Sequence, residues 1–218
     1  DAGYPVTKDF NGAQQEGFGP YQRTIHDGER WSASFAYLRP IVKDRENLTV
    51  MSTALVSRVV FRGGKTHGVE IVAKKGAEPE TIVADREVIV CAGAVQSPQI
   101  LQLSGIGPAD EIRKHGVTCV ADSPYVGANL QDHLELYIQQ ECTRPISLYS
   151  KLNLFSKGMI GLEWLLFKTG DGATNHFEAC AFVRSKAGVK YPDIQYGMGV
   201  AIHENGPFGP TYGHGGWI

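Results

Sequence analysis

Residues 88–107, with the sequence VIVCAGAVQSPQILQLSGIG, decide the predicted fold. Residues 88–91 form an apolar run without alternation, which is typical of a strand buried on both faces of a parallel sheet. Ser97 and Pro98 favour the start of a helix and Gly105 favours its end, so the pattern predicts a helix over residues 97–104. This strand–turn–helix unit predicts a mixed α/β fold.

The turn between the predicted strand and helix is Ala92-Gly93-Ala94, a run of small residues. Small side chains let a ligand approach the backbone, and a helix N-terminus offers free N–H groups and the positive end of its dipole. A phosphate or pyrophosphate fits such a turn, but a tight turn that binds nothing has the same spacing, so both interpretations stay open. The chain has no G-x-G-x-x-G, and a free-standing dinucleotide fold is therefore not indicated.

The flanking sequence supplies further predicted elements. Gly63-Gly64 is a two-residue hairpin turn between two strands rich in β-branched residues. Predicted strands cover residues 48–51, 54–61, 69–73, 81–84, 117–121, 134–142, 177–183 and 194–200. Predicted helices cover residues 31–39, with Ser32 or Ser34 as the cap, 109–115 and 155–167.

Composition excludes several classes of protein. The 218 residues are 42% hydrophobic and 20% charged, which is the composition of a globular chain. A net charge of −2 leaves no basic excess for a nucleic acid partner, and no apolar run reaches the roughly 18 residues of a membrane span. The cysteines and histidines show no metal-ligand spacing. Because no targeting signal is visible at the N-terminus, we expect that such a signal was removed or that the chain is part of a longer protein.

Residues 93–107 resemble the second signature of the glucose–methanol–choline (GMC) oxidoreductases. The similar features are a small residue after Gly, then Ser-Pro, two aliphatic residues and Ser-Gly-Ile-Gly. Other segments are similar to the choline-oxidising branch of that family, namely residues 11–19 (NGAQQEGFG), 30–33 (RWSA), 129–135 (NLQDHLE) and 170–178 (GDGATNHFE). The resemblance extends from residue 1 to about 196 and fades in the Gly- and Pro-rich tail.

The resemblance implies a partial FAD-binding GMC fold with an interleaved substrate-binding domain. Residues 24–134 would belong to the FAD-binding domain, and residues 1–23 and 135–218 to the substrate-binding domain. The family's catalytic histidine would lie outside this chain, so no catalytic residue is assigned and the chain alone is expected to be inactive. The implied reaction is the oxidation of choline to betaine aldehyde by hydride transfer to FAD, with a quinone-type electron acceptor and a mitochondrial location.

The same resemblance implies candidate binding residues. The backbone of Val56 would meet the adenine edge of FAD, and Ala92, Gly93 and Ala94 would lie near its diphosphate. Glu135 would face the trimethylammonium group of choline, which has no N–H to donate and is recognised by charge and aromatic faces. The alternatives are an ordinary strand valine, a turn that serves packing alone and a solvent-facing glutamate.

Other residues attract attention but carry no assigned role. Asp132 and His133 are adjacent and would point in opposite directions on an extended chain, so no catalytic dyad is predicted. His176 and Glu178 would share one face of a strand, and Trp164 is predicted to be a core residue. Two other functions stay open, a GMC enzyme that acts on another primary alcohol and a non-catalytic binding domain.

Overall fold

The computed structural model divides the chain into two compact units. One unit is Glu46–Leu134 and the other combines Asp1–Arg45 with Glu135–Ile218. The structure describes residues 3–74, 76–136, 138–141, 148–199, 202–206, 209–213 and 215–217. The predicted division into a FAD-binding part, residues 24–134, and a substrate-binding part concerns function and stays a prediction.

Strands and helices occur in both units, which confirms the mixed helix-and-sheet prediction. The strands are β1 Gly17–Pro20, β2 Ile25–His26, β3 Glu29–Arg30, β4 Leu55–Arg62, β5 Lys65–Val72, β6 Glu80–Val83, β7 Ile106–Gly107, β8 Ala121–Asp122, β9 Gln139–Glu141, β10 Phe177–Val183, β11 Ile194–Gly199, β12 Ile202–Gly206, β13 Gly209–Gly213 and β14 Gly215–Trp217. The α-helices are α1 Gly93–Leu103, α2 Ala109–Lys114 and α3 Leu154–Phe167.

The unit Glu46–Leu134 contains an antiparallel sheet with the strand order β4-β5-β6. Gly63 and Gly64 have φ angles of +58° and +75°, so the Gly-Gly turn supplies the positive φ that a tight hairpin requires and confirms the predicted hairpin. Val59 and Ile71 are buried at 6% and 4% exposure and form the apolar face of this sheet. The predicted strand at 48–51 is wrong, because these residues have no strand pairing.

The prediction of a buried strand at residues 88–91 is also wrong. These residues form no strand in the structure, and Ile89 is 73% exposed. A strand needs a neighbour for its backbone hydrogen bonds, and none of the described residues pairs with this segment. The helix that follows begins at Gly93, four residues before the predicted start, and contains Pro98.

The end of α1 is attached to both β4 and β7. Ser104, which is buried, accepts a hydrogen bond at Oγ from the Val59 N–H at 2.8 Å. Strand β7 then pairs in parallel with β8. The predicted helix at 109–115 is confirmed as α2, whereas the predicted strand at 117–121 is reduced to the short β8.

The second unit contains an antiparallel sheet with the strand order β1-β10-β11. Phe10 packs against Phe182 with ring centroids 5.4 Å apart, and Ala181 and Val183 are buried. Strands β10 and β11 confirm the predictions at 177–183 and 194–200, apart from Val200, which lies outside the described residues. Helix α3 confirms the predicted helix at 155–167.

The remaining differences concern short elements of this unit. The predicted helix at 31–39 is a five-residue π-helical turn, Ser34–Leu38, and Ser32 Oγ accepts the Phe35 N–H at 3.4 Å. The predicted strand at 134–142 begins at Gln139, and Tyr137 and residues 142–147 lie outside the described residues. Strands β12, β13 and β14 occupy the tail, where the sequence pattern predicts no element. Among the described residues, no helix is long and apolar enough to cross a membrane.

Candidate functional site

Helix α1 begins at a glycine with a positive φ angle and open space around it. Gly93 has a φ angle of +86°, and a Cβ added there would meet nothing within 4 Å. Ala92 is the N-cap residue and offers no side-chain hydrogen bond, so side chains leave the first N–H groups of α1 uncapped. Free N–H groups and the positive end of the helix dipole together favour an anion such as a phosphate.

A cavity of about 410 Å³ lies beside this end of α1, inside the unit Glu46–Leu134. Helix α1 and the loop of residues 123–131, here called the cavity loop, form its walls. The lining residues are Ala94, Val95, Pro98, Gln99, Gln102, Gly127, Ala128, Asn129, Leu130 and Gln131. Among the three residues predicted to approach a phosphate, Ala94 lines this cavity, and Gly93 and Ala92 come directly before it in the chain.

Val56 lies on β4 and is half-buried. Its backbone pairs with Ile71 of β5, and the ladder is irregular between Val56 and Arg58. Strand β4 has no second strand neighbour among the described residues, and α1 packs near it through the Ser104–Val59 hydrogen bond. The prediction that the Val56 backbone meets adenine stays a prediction.

Glu135 is exposed in this structure and begins the second segment of the other unit. Its neighbours Leu134 and Leu136 are also exposed, at 98% and 85%, so the alternating pattern that predicted a half-buried strand here is not realised. Asp132 Oδ1 accepts the backbone N–H of His133 at 2.8 Å, which is a local turn contact between adjacent residues. The role of Glu135 in binding a cation stays a prediction.

A second cavity, of about 620 Å³, lies within the unit that contains α3, and the sequence analysis did not find it. It is lined by Thr24, Ile25, Gly28, Glu29, Arg30, Phe35, Trp164, Gly172, Ala173, Thr174 and Asn175. Its residues are far apart in the sequence, and each gives a local signal of only a short turn or a core position.

Cations of the protein already cover the aromatic rings of this second cavity. Lys168 Nζ lies 3.6 Å from the centroid of the Trp164 ring and forms an ion pair with Glu29 at 2.9 Å. The guanidinium of Arg39 lies 3.7 Å from the centroid of Phe35. These contacts cover one face of each ring and pair the Glu29 carboxylate with Lys168, so a further cation would compete with Lys168 and Arg39 for these groups.

The prediction that His176 and Glu178 share one face of a strand is wrong. Strand β10 begins at Phe177, and His176 precedes it with a φ angle of +65°, which breaks the alternation. Glu178 forms an ion pair with Arg23 at 3.3 Å and accepts a hydrogen bond from Thr174 Oγ1 at 3.1 Å. Trp164 is half-buried, and its Nε1 donates to the Gly28 carbonyl at 2.7 Å, so this residue joins α3 to the β2–β3 turn.

Among the side chains that the structure describes, no group of three or more His, Cys, Asp or Glu residues is placed to hold a metal ion.

Comparisons with known proteins relate the chain to one enzyme family. The family model described as GMC oxidoreductase matches residues 1–135. The oxygen-dependent choline dehydrogenase of Brucella anthropi is 60% identical over 207 residues, which are 94% of this chain and 37% of that protein. The mitochondrial choline dehydrogenase of Homo sapiens is 54% identical over 195 residues, which are 89% of this chain and 32% of that protein.

The fold is similar to that of a solved oxidase. A formate oxidase variant of Aspergillus oryzae, studied for the modification of its FAD, superposes with a TM-score of 0.84 at 22% identity. The match covers 99% of this chain and 41% of the oxidase. The chain thus spans less than half the length of these relatives. Because the family model covers more than half of the chain, the chain belongs to the GMC oxidoreductase family.

Proposed function

We propose that the protein is an FAD-dependent oxidoreductase that oxidises choline to betaine aldehyde. The observation that carries this proposal is the uncapped N-terminus of α1 beside a cavity, within the segment that matches the family model. Similarity to choline dehydrogenases over 94% of the chain supports choline as the substrate.

The residues at the end of α1 fit the diphosphate of FAD. GMC oxidoreductases are FAD-dependent, and a diphosphate carries the negative charge that a helix N-terminus favours. Gly93 leaves open space where a side chain would stand, and Ala92 and Ala94 add only methyl groups. We assign Ala92, Gly93 and Ala94 to the diphosphate and the Val56 backbone to adenine. When bound, FAD supplies the acceptor for the hydride of the alcohol.

Glu135 is the residue that we assign to the choline cation. A carboxylate about 4 Å from a cation contributes on the order of 4 kcal/mol at an effective dielectric near 20. A quaternary ammonium cannot donate a hydrogen bond, so charge is the property by which a carboxylate distinguishes it from a neutral alcohol. The proposal therefore requires Glu135 to face the substrate in the full-length enzyme.

Substitution of Glu135 in the full-length enzyme tests this assignment. Glu135→Gln should raise the KM for choline at least tenfold, which corresponds to about 1.4 kcal/mol, because the charge is lost while the shape is kept. The KM for a neutral isostere with carbon in place of the quaternary nitrogen should change little. Glu87→Gln, at another exposed glutamate, is the control, and equal losses for both alcohols would remove the proposed role.

A second candidate is a GMC enzyme for another primary alcohol, in which Glu135 has no substrate contact. The exposure of Glu135 in this structure favours it. Steady-state kinetics with choline and a panel of uncharged primary alcohols separates the two candidates, since the second predicts a larger kcat/KM for an uncharged alcohol.

We also infer that residues 1–218 expressed alone neither retain FAD nor oxidise choline, so that a binding role is all that this segment could perform by itself. The relatives are more than twice as long as the segment that matches this chain. Absorbance of the purified segment in the flavin region tests the inference, and a yellow preparation contradicts it.

The electron acceptor and the location complete the proposal. A quinone-type acceptor predicts turnover with a soluble quinone in the absence of oxygen, whereas the Brucella relative is named as oxygen-dependent. A mitochondrial location is supported by the name of the human relative alone, and fractionation of the source cells tests it.

A further inference from the structure

Among the described residues, the cavity loop is held at its start, where the Ser123 N–H donates to the Gly107 carbonyl of β7 at 2.9 Å, and further along by a glutamine of α1. Within the loop, the Val126 N–H donates to Ser123 at 3.2 Å and the Ala128 N–H donates to Tyr125 at 3.1 Å, and both bonds are local. The hydrogen bond that joins this part of the loop to the helix is donated by Gln102 Nε2 to the Val126 carbonyl, at 2.9 Å.

Two glycines make room for the Gln102 side chain. A Cβ at Gly127 would lie 2.7 Å from Gln102 Nε2, and a Cβ at Gly107 would lie 3.0 Å from Gln102 Cγ. Both distances are too short for ordinary contacts, so a side chain at either position would displace the glutamine. Gly127 also has a φ angle of +81°, which favours glycine on its own. The slot between Gly107 and Gly127 therefore fits Gln102 closely.

The position of the loop sets the opening of the cavity. Residues Gly127 and Asn129 line it opposite Ala94 and Pro98 of α1. Asn129 has a φ angle of +56°, a left-handed conformation that costs about 1 kcal/mol and persists where the surroundings hold it. Loss of the Gln102 bond removes the direct link that holds this wall against the helix.

We propose that Gln102 is a positioning residue for FAD, which acts by holding the cavity loop against α1. The inference rests on the proposed function, because it takes the cavity beside α1 as part of the FAD site. Gln102 is half-buried and lines the cavity, and its Nε2 is engaged by the Val126 carbonyl, so the effect that it shares with a substitution at Gly127 passes through the loop.

The test uses the full-length enzyme and two independent ways of breaking the link. Gln102→Met keeps the length of the side chain and removes the donor, and Gly127→Ala crowds the slot while leaving the donor in place. Each should raise the Kd for FAD about tenfold, as expected for the loss of one partly buried hydrogen bond and its geometry. The double variant should cost less than the product of the two single effects, because both break the same contact, whereas the strain of an alanine at the positive φ of Gly127 is the same with either residue at position 102.

Gln96→Met is the matched control, since Gln96 is an exposed glutamine on the same helix that does not line the cavity. Urea unfolding of the apoenzyme is the second readout. Gln102→Met should change the free energy of unfolding by less than it changes the free energy of FAD binding. The proposal would be overturned if Gln102→Met and Gln96→Met bound FAD with equal affinity. It would also be overturned if the effects of Gln102→Met and Gly127→Ala on the Kd for FAD multiplied in the double variant. Failure of the unaltered enzyme to bind FAD would instead contradict the proposed function.

Discussion

At the scale of single residues, the Ser-Gly-Ile-Gly part of the signature has a structural role. Ser104 Oγ accepts a backbone N–H of β4, and Gly105 has a φ angle of +90° where the chain turns from α1 into β7. Gly107 provides one side of the slot for Gln102. The C-terminal part of the family signature therefore has an architectural role, whereas the binding role that we propose for Gly93 and Ala94 at its other end stays a prediction.

Gly105→Ala should destabilise the full-length enzyme by about 2 kcal/mol or more. A Cβ there would lie 2.3 Å from the Thr118 carbonyl oxygen, and the positive φ adds about 1–2 kcal/mol. Gly116→Ala is the control, because Gly116 has a φ angle of +73° with nothing within 4 Å of the added Cβ. Urea unfolding measures both, and equal losses would show that crowding at Gly105 has no effect.

The cysteines should differ in their reactivity. Cys180 is 4% exposed, and burial raises the pKa of its thiol, while Cys91 is exposed. Because the thiolate is the reactive form, alkylation of native enzyme at pH 8 should modify Cys91 well before Cys180. Mass spectrometry of peptides after timed alkylation with iodoacetamide measures the order, and faster labelling of Cys180 would contradict the packing of β10.

At the scale of elements, the β4–β5 hairpin carries a cross-strand ion pair. Arg58 Nη2 donates to Glu70 Oε2 at 2.7 Å, and Ser57 Oγ donates to Glu70 Oε1 at 2.7 Å. These bonds lower the pKa of Glu70 from its ordinary value of 4.5, with the hydrogen bond from Arg58 as the largest cause. Charged pairs directly opposite each other stabilise a sheet.

The lowered pKa of Glu70 predicts an acid-dependent loss of stability. The stabilisation is present above about pH 4.5, the value in the unfolded chain, and disappears as the pH falls through the lower folded value. Glu70→Gln should remove about 0.5–1 kcal/mol at neutral pH, a modest amount because solvent screens the exposed Arg58. Unfolding from pH 7 to 3 measures the difference, with exposed Glu78→Gln as control, and an unchanged pH profile would contradict the role of the pair.

Local signals predicted some elements and not others. The Gly63-Gly64 hairpin and helix α3 follow from turn chemistry and composition within a few residues, and both are confirmed. Residues 88–91 have the composition of a buried strand, but a strand depends on partners that the segment itself does not specify. Helix α1 begins four residues early, because residues 93–96 are exposed and water can satisfy their N–H groups, so Ser97 is not required as a cap.

The candidate site was predictable only where its residues give a local signal in the sequence. The small residues at Ala92–Ala94 signal a close approach to the backbone wherever a helix follows. Gln102 gives no such signal, because its role depends on Gly107 and Gly127, which the fold brings together from two other segments. The second cavity is likewise assembled from distant segments.

At the scale of the whole molecule, helix α3 presents an apolar outer face. At 100° per residue, six of its exposed apolar side chains fall on an arc of about 140°. Phe167 is exposed outside this arc, and Ile160 and Trp164 lie on the half-buried side. The arc consists of Leu154, Phe155, Met159, Leu162, Leu165 and Leu166. Contiguous apolar surface of this kind binds hydrophobic probes.

Residues 1–218 alone should therefore bind the dye ANS with strong fluorescence. Leu162→Lys together with Leu166→Lys should lower the dye signal by about half, because both substitutions place a charge on the arc. Lys157→Gln, on the same helix but off the arc, is the control. A dye signal that is the same in all three proteins would show that α3 does not provide this surface.

The order of the chain has a consequence for biosynthesis. The unit Glu46–Leu134 is contiguous, so every one of its internal contacts becomes available once the ribosome has released residue 134. Strand β1 is synthesised early, but β10, the strand with which it pairs, is synthesised late. Gly17 can pair with Phe182 only after Phe182 has been synthesised. At a translation rate of roughly 5–20 residues per second that delay is on the order of ten seconds. During this interval Phe18 of β1 can already exchange backbone hydrogen bonds with Pro5 and Thr7, while the edge of β1 that pairs with β10 is exposed to other chains.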